Sequence, residues 1–84
     1  MPEVFIVTVA NAEGGFESDL EIPARLPFSE FKVKLLETLK MLDANTFDSW
    51  MNYRLRFKIN LVADYDTLAS IGAFDGSRLT VEKL

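Results

Sequence analysis

Only one stretch of this chain carries a helical repeat of apolar residues, and that limits the layer structures open to it. Phe28, Phe31, Leu35, Leu39 and Leu42 recur at spacings of three and four, with Glu30, Lys34, Glu37 and Lys40 off the stripe. The spacing predicts an amphipathic helix over 28–42, about four turns long, that must bury one face against another element. Pro27 suits its first turn, where a missing N–H costs nothing. Glu30 and Lys34 form a favourable i,i+4 pair that adds about 0.3–0.5 kcal/mol. The other ordered-looking segments alternate with period two or are too short for a helix. The partner layer is therefore a sheet, and the fold class is α+β with one long helix on one face.

The strands follow from β-branched content and alternation. Glu3 to Ala10 reads as a first strand, Asn11 to Gly15 as a turn cluster, and Phe16 to Ile22 as a second strand. In the second strand Phe16, Leu20 and Ile22 share one face, and Glu17, Asp19 and Glu21 the other. Register depends on the loop. If Ala12 to Gly15 form a four-residue loop, Leu20 faces Val7 and Ile22 faces Phe5, so Phe5, Val7 and Val9 point inward. A loop one residue shorter or longer flips the first strand and puts Val4 and Ile6 inside. The first register is favoured because Phe5, Val7 and Val9 are all apolar, and either choice leaves an apolar stripe outside.

Pro23 ends the second strand. Beyond the helix, Asp43 to Asn52 reads as a loop, although it carries Phe47, Trp50 and Met51. Tyr53 to Ile59 alternates, with Tyr53, Leu55, Phe57 and Ile59 inward and Arg54, Arg56 and Lys58 outward. Leu61 to Ala63 makes a short fourth strand. Asp66 or Thr67 caps a single turn through Ile71, closed by Gly72 in the left-handed conformation. Asp75-Gly76 is a tight turn before a last strand, Arg78 to Glu82. No repeat, low-complexity tract or linker interrupts this series, so residues 1–84 are read as one domain.

Composition then removes most chemistry. The chain has no Cys and no His, so thiol nucleophiles, thiolate zinc sites, disulfides and imidazole bases are absent. Asp43, Asp48, Asp64 and Asp66 match no calcium loop, and Glu13-Gly14-Gly15 is followed by no Gly-Lys-Ser/Thr. Asp66 as a cap and Asp75 as a turn residue account for themselves. No catalytic residue, cofactor or metal is assigned. The net charge of −4 argues against nucleic acid as a partner. No apolar run approaches the ~20 residues that span a bilayer. Met1-Pro2-Glu3-Val4 also lacks the basic start of a leader. A cytoplasmic protein without direct membrane insertion is expected.

The element order resembles the β-grasp, or ubiquitin-like, fold. Thr67-Leu68-Ala69-Ser70-Ile71-Gly72-Ala73-Phe74-Asp75-Gly76-Ser77-Arg78-Leu79-Thr80-Val81 is similar to the ubiquitin-like pattern T-L-x-x-x-G-h-x-D-G-x-x-L-x-h, where h is apolar. The resemblance implies a mixed sheet of four to five strands in the order 2-1-5-3-4. Within that fold, Asp19-Leu20-Glu21-Ile22-Pro23 followed by Pro27-Phe28-Ser29-Glu30 resembles the YukD-like (EsaB-like) branch. The branch implies a small bacterial accessory of type VII secretion, which exports WXG-type helical-hairpin substrates. Its implied partner is a protein, with the membrane-bound secretion machinery foremost, and its implied state a monomer or weak homodimer. The ending Thr80-Val81-Glu82-Lys83-Leu84 lacks the Gly-Gly of conjugated modifiers and sulfur carriers, so conjugation is not expected. A regulatory ubiquitin-like domain of an unrelated system is the rival reading, and a carrier or modifier the weaker one.

Two candidate surfaces follow. With that strand order the outer sheet face carries an acidic edge (Glu17, Asp19, Glu21), then Val4, Ile6 and Thr8, then Arg78, Thr80 and Glu82, then a basic side (Arg54, Arg56, Lys58). It reads either as a docking surface with an apolar centre and charged rims or as a solvated face whose long Arg and Lys stems cover the apolar residues. Ubiquitin's own recognition patch is apolar at the matching outward positions, so ordinary ubiquitin receptors are not expected to bind. Trp50, with Phe47 and Met51, is either a binding hot spot or a plug for the open side of a small core. The plug is the favoured reading.

Overall fold

The computed structural model describes residues 3–84, so the leader reading at Met1-Pro2 and the first two residues of the single-domain reading lie outside the described residues. The chain runs β1 (Val4–Asn11), β2 (Glu17–Pro23), α1 (Phe28–Leu42), α2 (Ala44–Phe47), β3 (Tyr53–Phe57), β4 (Asn60–Leu61) and β5 (Arg78–Lys83). The five strands form one sheet in the order β2-β1-β5-β3-β4. β1 and β5 pair in parallel at its centre, and the remaining pairs are antiparallel. α1 packs on one face and begins and ends where the apolar spacing predicted.

The hairpin takes the four-residue loop. Val7 lies opposite Leu20 and Phe5 opposite Ile22, which sends Val7, Val9 and Ile22 into the core. Facing them are Phe28, Phe31, Leu35 and Leu39 of α1, and Leu55, Leu79 and Val81 complete the sheet side. Tyr53 is buried, and its hydroxyl donates to the Lys32 carbonyl at 2.6 Å, tying β3 to the middle of α1. Burial alone pushes this phenol far above its ordinary range, so it remains a protonated donor.

Local chemistry explains the joints. Pro27 offers no side-chain cap, and the first amides of α1 are met instead by backbone: Phe28 N–H donates to Asp66 O at 2.8 Å and Ser29 N–H to Asp64 O at 3.0 Å. The Asp66 carboxylate accepts from Ala63 N–H, so the cap on the following turn is Thr67, whose Oγ1 accepts from Ser70 N–H. Residues 68–72 form turns and no helix, and Gly72, at φ 87°, takes the left-handed conformation there.

Several expectations need correction. Leu42 is half exposed, because α1 ends there and the chain re-enters the core through Phe47. The 43–52 segment holds a short helix, α2, capped by Asp43, which accepts from both Thr46 N–H and Thr46 Oγ1. Ile59 is 86% exposed, because Lys58 has φ 58° and turns the chain before the alternation is complete. β3 therefore stops at Phe57, and β4 begins one residue earlier than predicted and keeps only Asn60 and Leu61.

Candidate functional site on the outer sheet face

The face of the sheet away from α1 carries Val4 and Ile6 at 43% and 50% exposure. Their exposure has a structural cause. β5 first meets β1 at the pair Thr8–Arg78, so residues 4–7 of β1 have no β5 side chains beside them. The 75–77 turn occupies that side: Ile6 N–H donates to Asp75 Oδ1 and Gly76 N–H to Ile6 O, both at 2.8 Å, and Thr8 N–H donates to Ser77 O at 2.9 Å. The Asp-Gly turn thus satisfies the backbone of β1 while leaving its outward side chains uncovered.

Charges on the same face largely engage one another across strands. Thr8 Oγ1 donates to Asp19 Oδ1 at 2.7 Å, and Arg78 pairs with Glu17. Glu82 takes both arginines of β3, Arg54 Nε at 3.3 Å and Arg56 Nη2 at 3.7 Å. Arg54 lies directly opposite Glu82, and Arg56 opposite Thr80. Such exposed pairs contribute little stability, about 0–1 kcal/mol each, but they fix which charges remain available to a partner.

The structure brings the predicted residues together only in part. Arg54, Arg56 and Thr80 form one cluster around Glu82, and Val4 and Ile6 form another. Through β5, Arg56 comes level with Ala10 of β1, four residues from Ile6. With ~3.3 Å per residue and ~4.8 Å per strand, the two clusters lie roughly 16 Å apart at diagonal corners. The picture of an apolar centre between charged rims is thereby corrected: the apolar pair sits at a corner of the face. Lys58 lies in the turn after β3, with its Nζ 5.4 Å from the Phe57 ring centroid.

Lys58 and Thr80 meet instead in a shallow groove of about 420 Å³ lined also by Phe57, Phe74, Ser77 and Arg78. Phe74, 64% exposed, is a surface aromatic that sequence reasoning passed over. Its signal was an aromatic at a position the ubiquitin-like pattern leaves free, directly before Asp75-Gly76. Trp50 leaves the candidate surface: it is 4% exposed, with its ring 4.7 Å from Phe47, and Phe47 in turn stacks edge-on against Phe16 at 4.9 Å. Both rings join the core, and Met51 alone of that trio is exposed. Among the described residues no group of three or more metal-ligating side chains converges, and no helix is long and apolar enough to cross a membrane.

These features define a ubiquitin-like fold. No family model matches the sequence, and no curated protein matches it. Solved structures match it along nearly its whole length. The EccD5 ubiquitin-like domain from Mycobacterium xenopi aligns with a TM-score of 0.81 at 17% identity, covering 99% of this chain and 97% of that one. The ubiquitin-like domain of the Mycobacterium tuberculosis type VII secretion system protein EccD1 aligns at 0.78 and 19% identity, covering 96% and 99%. A chain of the MycP5-free ESX-5 inner membrane complex aligns at 0.80 and 18% identity over 99% of this chain, which corresponds to 21% of that longer one. At these identities the likeness is one of fold.

Proposed function

We propose that this protein is a non-catalytic ubiquitin-like accessory of type VII secretion, of the YukD-like kind, that binds a component of the membrane-bound export machinery from the cytoplasm. The observation that carries the reading is the end-to-end correspondence with EccD ubiquitin-like domains, one of the matching chains belonging to an inner membrane complex. The binding surface is the outer sheet face: Val4 and Ile6 supply apolar contact, and Arg54, Arg56, Lys58 and Thr80 supply polar and charged contact. The mechanism is stoichiometric docking without a covalent step. Affinity capture of the tagged protein from its native cells, followed by mass spectrometry, tests it. Recovery of a type VII membrane component or its ATPase is the expected result. Recovery of an unrelated assembly, or of ladders of covalent adducts, overturns the secretion role and leaves the fold standing.

A further inference from the structure

We propose that the open edge of β2 is a second docking site, built to accept an extended strand with Lys or Arg at alternate positions and apolar residues between them. β2 ends the sheet order and is seven residues long. Asn11 N–H donates to Phe16 O at 3.1 Å and Ala24 N–H to Glu3 O at 2.9 Å, which fixes the alternation of the β1–β2 ladder. Ser18, Leu20 and Ile22 accordingly turn their backbone groups toward β1, and Glu17, Asp19 and Glu21 turn theirs to the open side. Among the described residues, no loop or cap supplies a backbone partner to those three. The opposite edge is blunted, because β4 has two residues and follows the positive-φ turn at Lys58.

Side chains specify what can pair there. On the helix side the edge borders a groove of about 390 Å³ lined by Leu20, Ile22, Phe31, Leu35, Lys34 and Thr38, among others. Apolar side chains of an added strand would enter it, and Lys34 at its rim disfavours a base in that row. On the outer side the row is Glu17, Asp19 and Glu21, which asks for bases directly opposite. Glu21 has no ion pair among the described residues and is the free anchor of that row. A second copy of this chain is a poor occupant. An antiparallel β2–β2 pair centred on Asp19 sets Asp19 against Asp19 and Glu17 against Glu21, all like charges. Charge complementarity therefore selects a basic, alternating strand from another protein, and main-chain bonds supply the pairing.

The test titrates the isotope-labelled full chain with acetyl-Lys-Val-Lys-Val-Lys-Val-Lys-amide and follows amide shifts and hydrogen exchange. The same peptide with every backbone amide N-methylated, which keeps the charge but cannot donate to β2, and a Glu-Val alternating peptide serve as controls. The expected result is shifted and newly protected amides at Glu17, Asp19 and Glu21, with methyl shifts at Leu20, Ile22 and Leu35, and no such changes with either control. Glu21→Lys, an exposed change, is expected to weaken binding about fivefold or more, with the free protein's spectrum otherwise unchanged. Equal effects from the N-methylated peptide, shifts centred on Val4, Ile6 and Phe74, or β2-mediated self-association by sedimentation would each overturn the proposal.

Discussion

Tyr53→Phe tests how the strand that carries Arg54 and Arg56 is held in place. The Tyr53 ring is 2% exposed and meets Phe28 edge-on at 5.8 Å, and its hydroxyl donates to the Lys32 carbonyl at 2.6 Å. Removing only the oxygen keeps the ring contacts. It also leaves no orphan, because the Lys32 carbonyl lies inside α1, where the helical ladder supplies its own donor. The loss is therefore that of one net hydrogen bond, about 1 kcal/mol. Tyr53→Ala removes the ring as well and should cost about 3–5 kcal/mol. A domain of 84 residues holds a total of about 4–12 kcal/mol, so the Phe variant stays folded and the Ala variant sits near the threshold. Urea unfolding should show the Phe midpoint lower by about 0.5–1 M with an unchanged slope. A second readout uses pH. Burial raises the folded-state pKa of this phenol above its unfolded value near 10. Its contribution is complete below about pH 10 and declines as pH rises above that, because the unfolded chain releases the proton first. Tyr53→Phe should remove that part of the alkaline decline. A variant as stable as the parent with an identical alkaline slope would refute the assignment of the hydroxyl as the tie between β3 and α1.

Three further outcomes follow from the same geometry. Ile6→Lys places a charge on a half-exposed outward position, so stability should change by less than about 0.5 kcal/mol while binding to the captured partner falls; unfolding would mean that Ile6 is not outward. Arg54→Ala combined with Arg56→Ala breaks only exposed pairs to Glu82 and should cost under about 1 kcal/mol in a thermal melt, and unchanged partner binding would remove this cluster from the surface. Asp43→Ala deletes the cap of α2 and should cost about 1 kcal/mol, with Trp50 fluorescence reporting any loosening beside Phe47. No loss on chemical unfolding would show that packing of Phe47 and Trp50 holds α2 without its cap.

What could be read from the residues was whatever repeats locally. The stripe from Phe28 to Leu39, the alternation of Phe16 to Ile22, and the choice of Phe5, Val7 and Val9 as the inward set all rest on short-range periodicity, and all three hold. The errors occur where periodicity continues in the letters after the chain has turned. Ile59 keeps the alternation of β3, but nothing in the residue type of Lys58 announces a positive φ. Leu42 keeps the helical stripe after the core has passed to Phe47. The helix α2 did have a local mark, Asp43 three residues before Thr46, hidden in a segment read as a loop despite its aromatics. The site was the least legible part. Which residues face outward follows from alternation, but their diagonal separation depends on β5 starting opposite Thr8, and that offset is set by Asp75 and Gly76 binding Ile6, 69 residues away from Asp75 in the chain.

That offset also ranks the surface residues against one another. A charge already paired within the free protein must give up that pair, or share it, before serving a partner, so its net contribution to binding is reduced. Glu17, Asp19, Arg54, Arg56, Arg78 and Glu82 are all engaged in this way. Val4, Ile6 and Phe74 have no such commitment: they expose apolar area that a partner can remove from water directly. Glu21 and Lys58 have neither an ion pair nor a side-chain hydrogen bond among the described residues. If the outer face is the docking surface, truncating Ile6 or Phe74 should weaken binding more than truncating both arginines, and binding should depend only weakly on salt. A steep salt dependence, with the arginines dominant, would show that the partner outcompetes Glu82 and that the charged corner is where it docks.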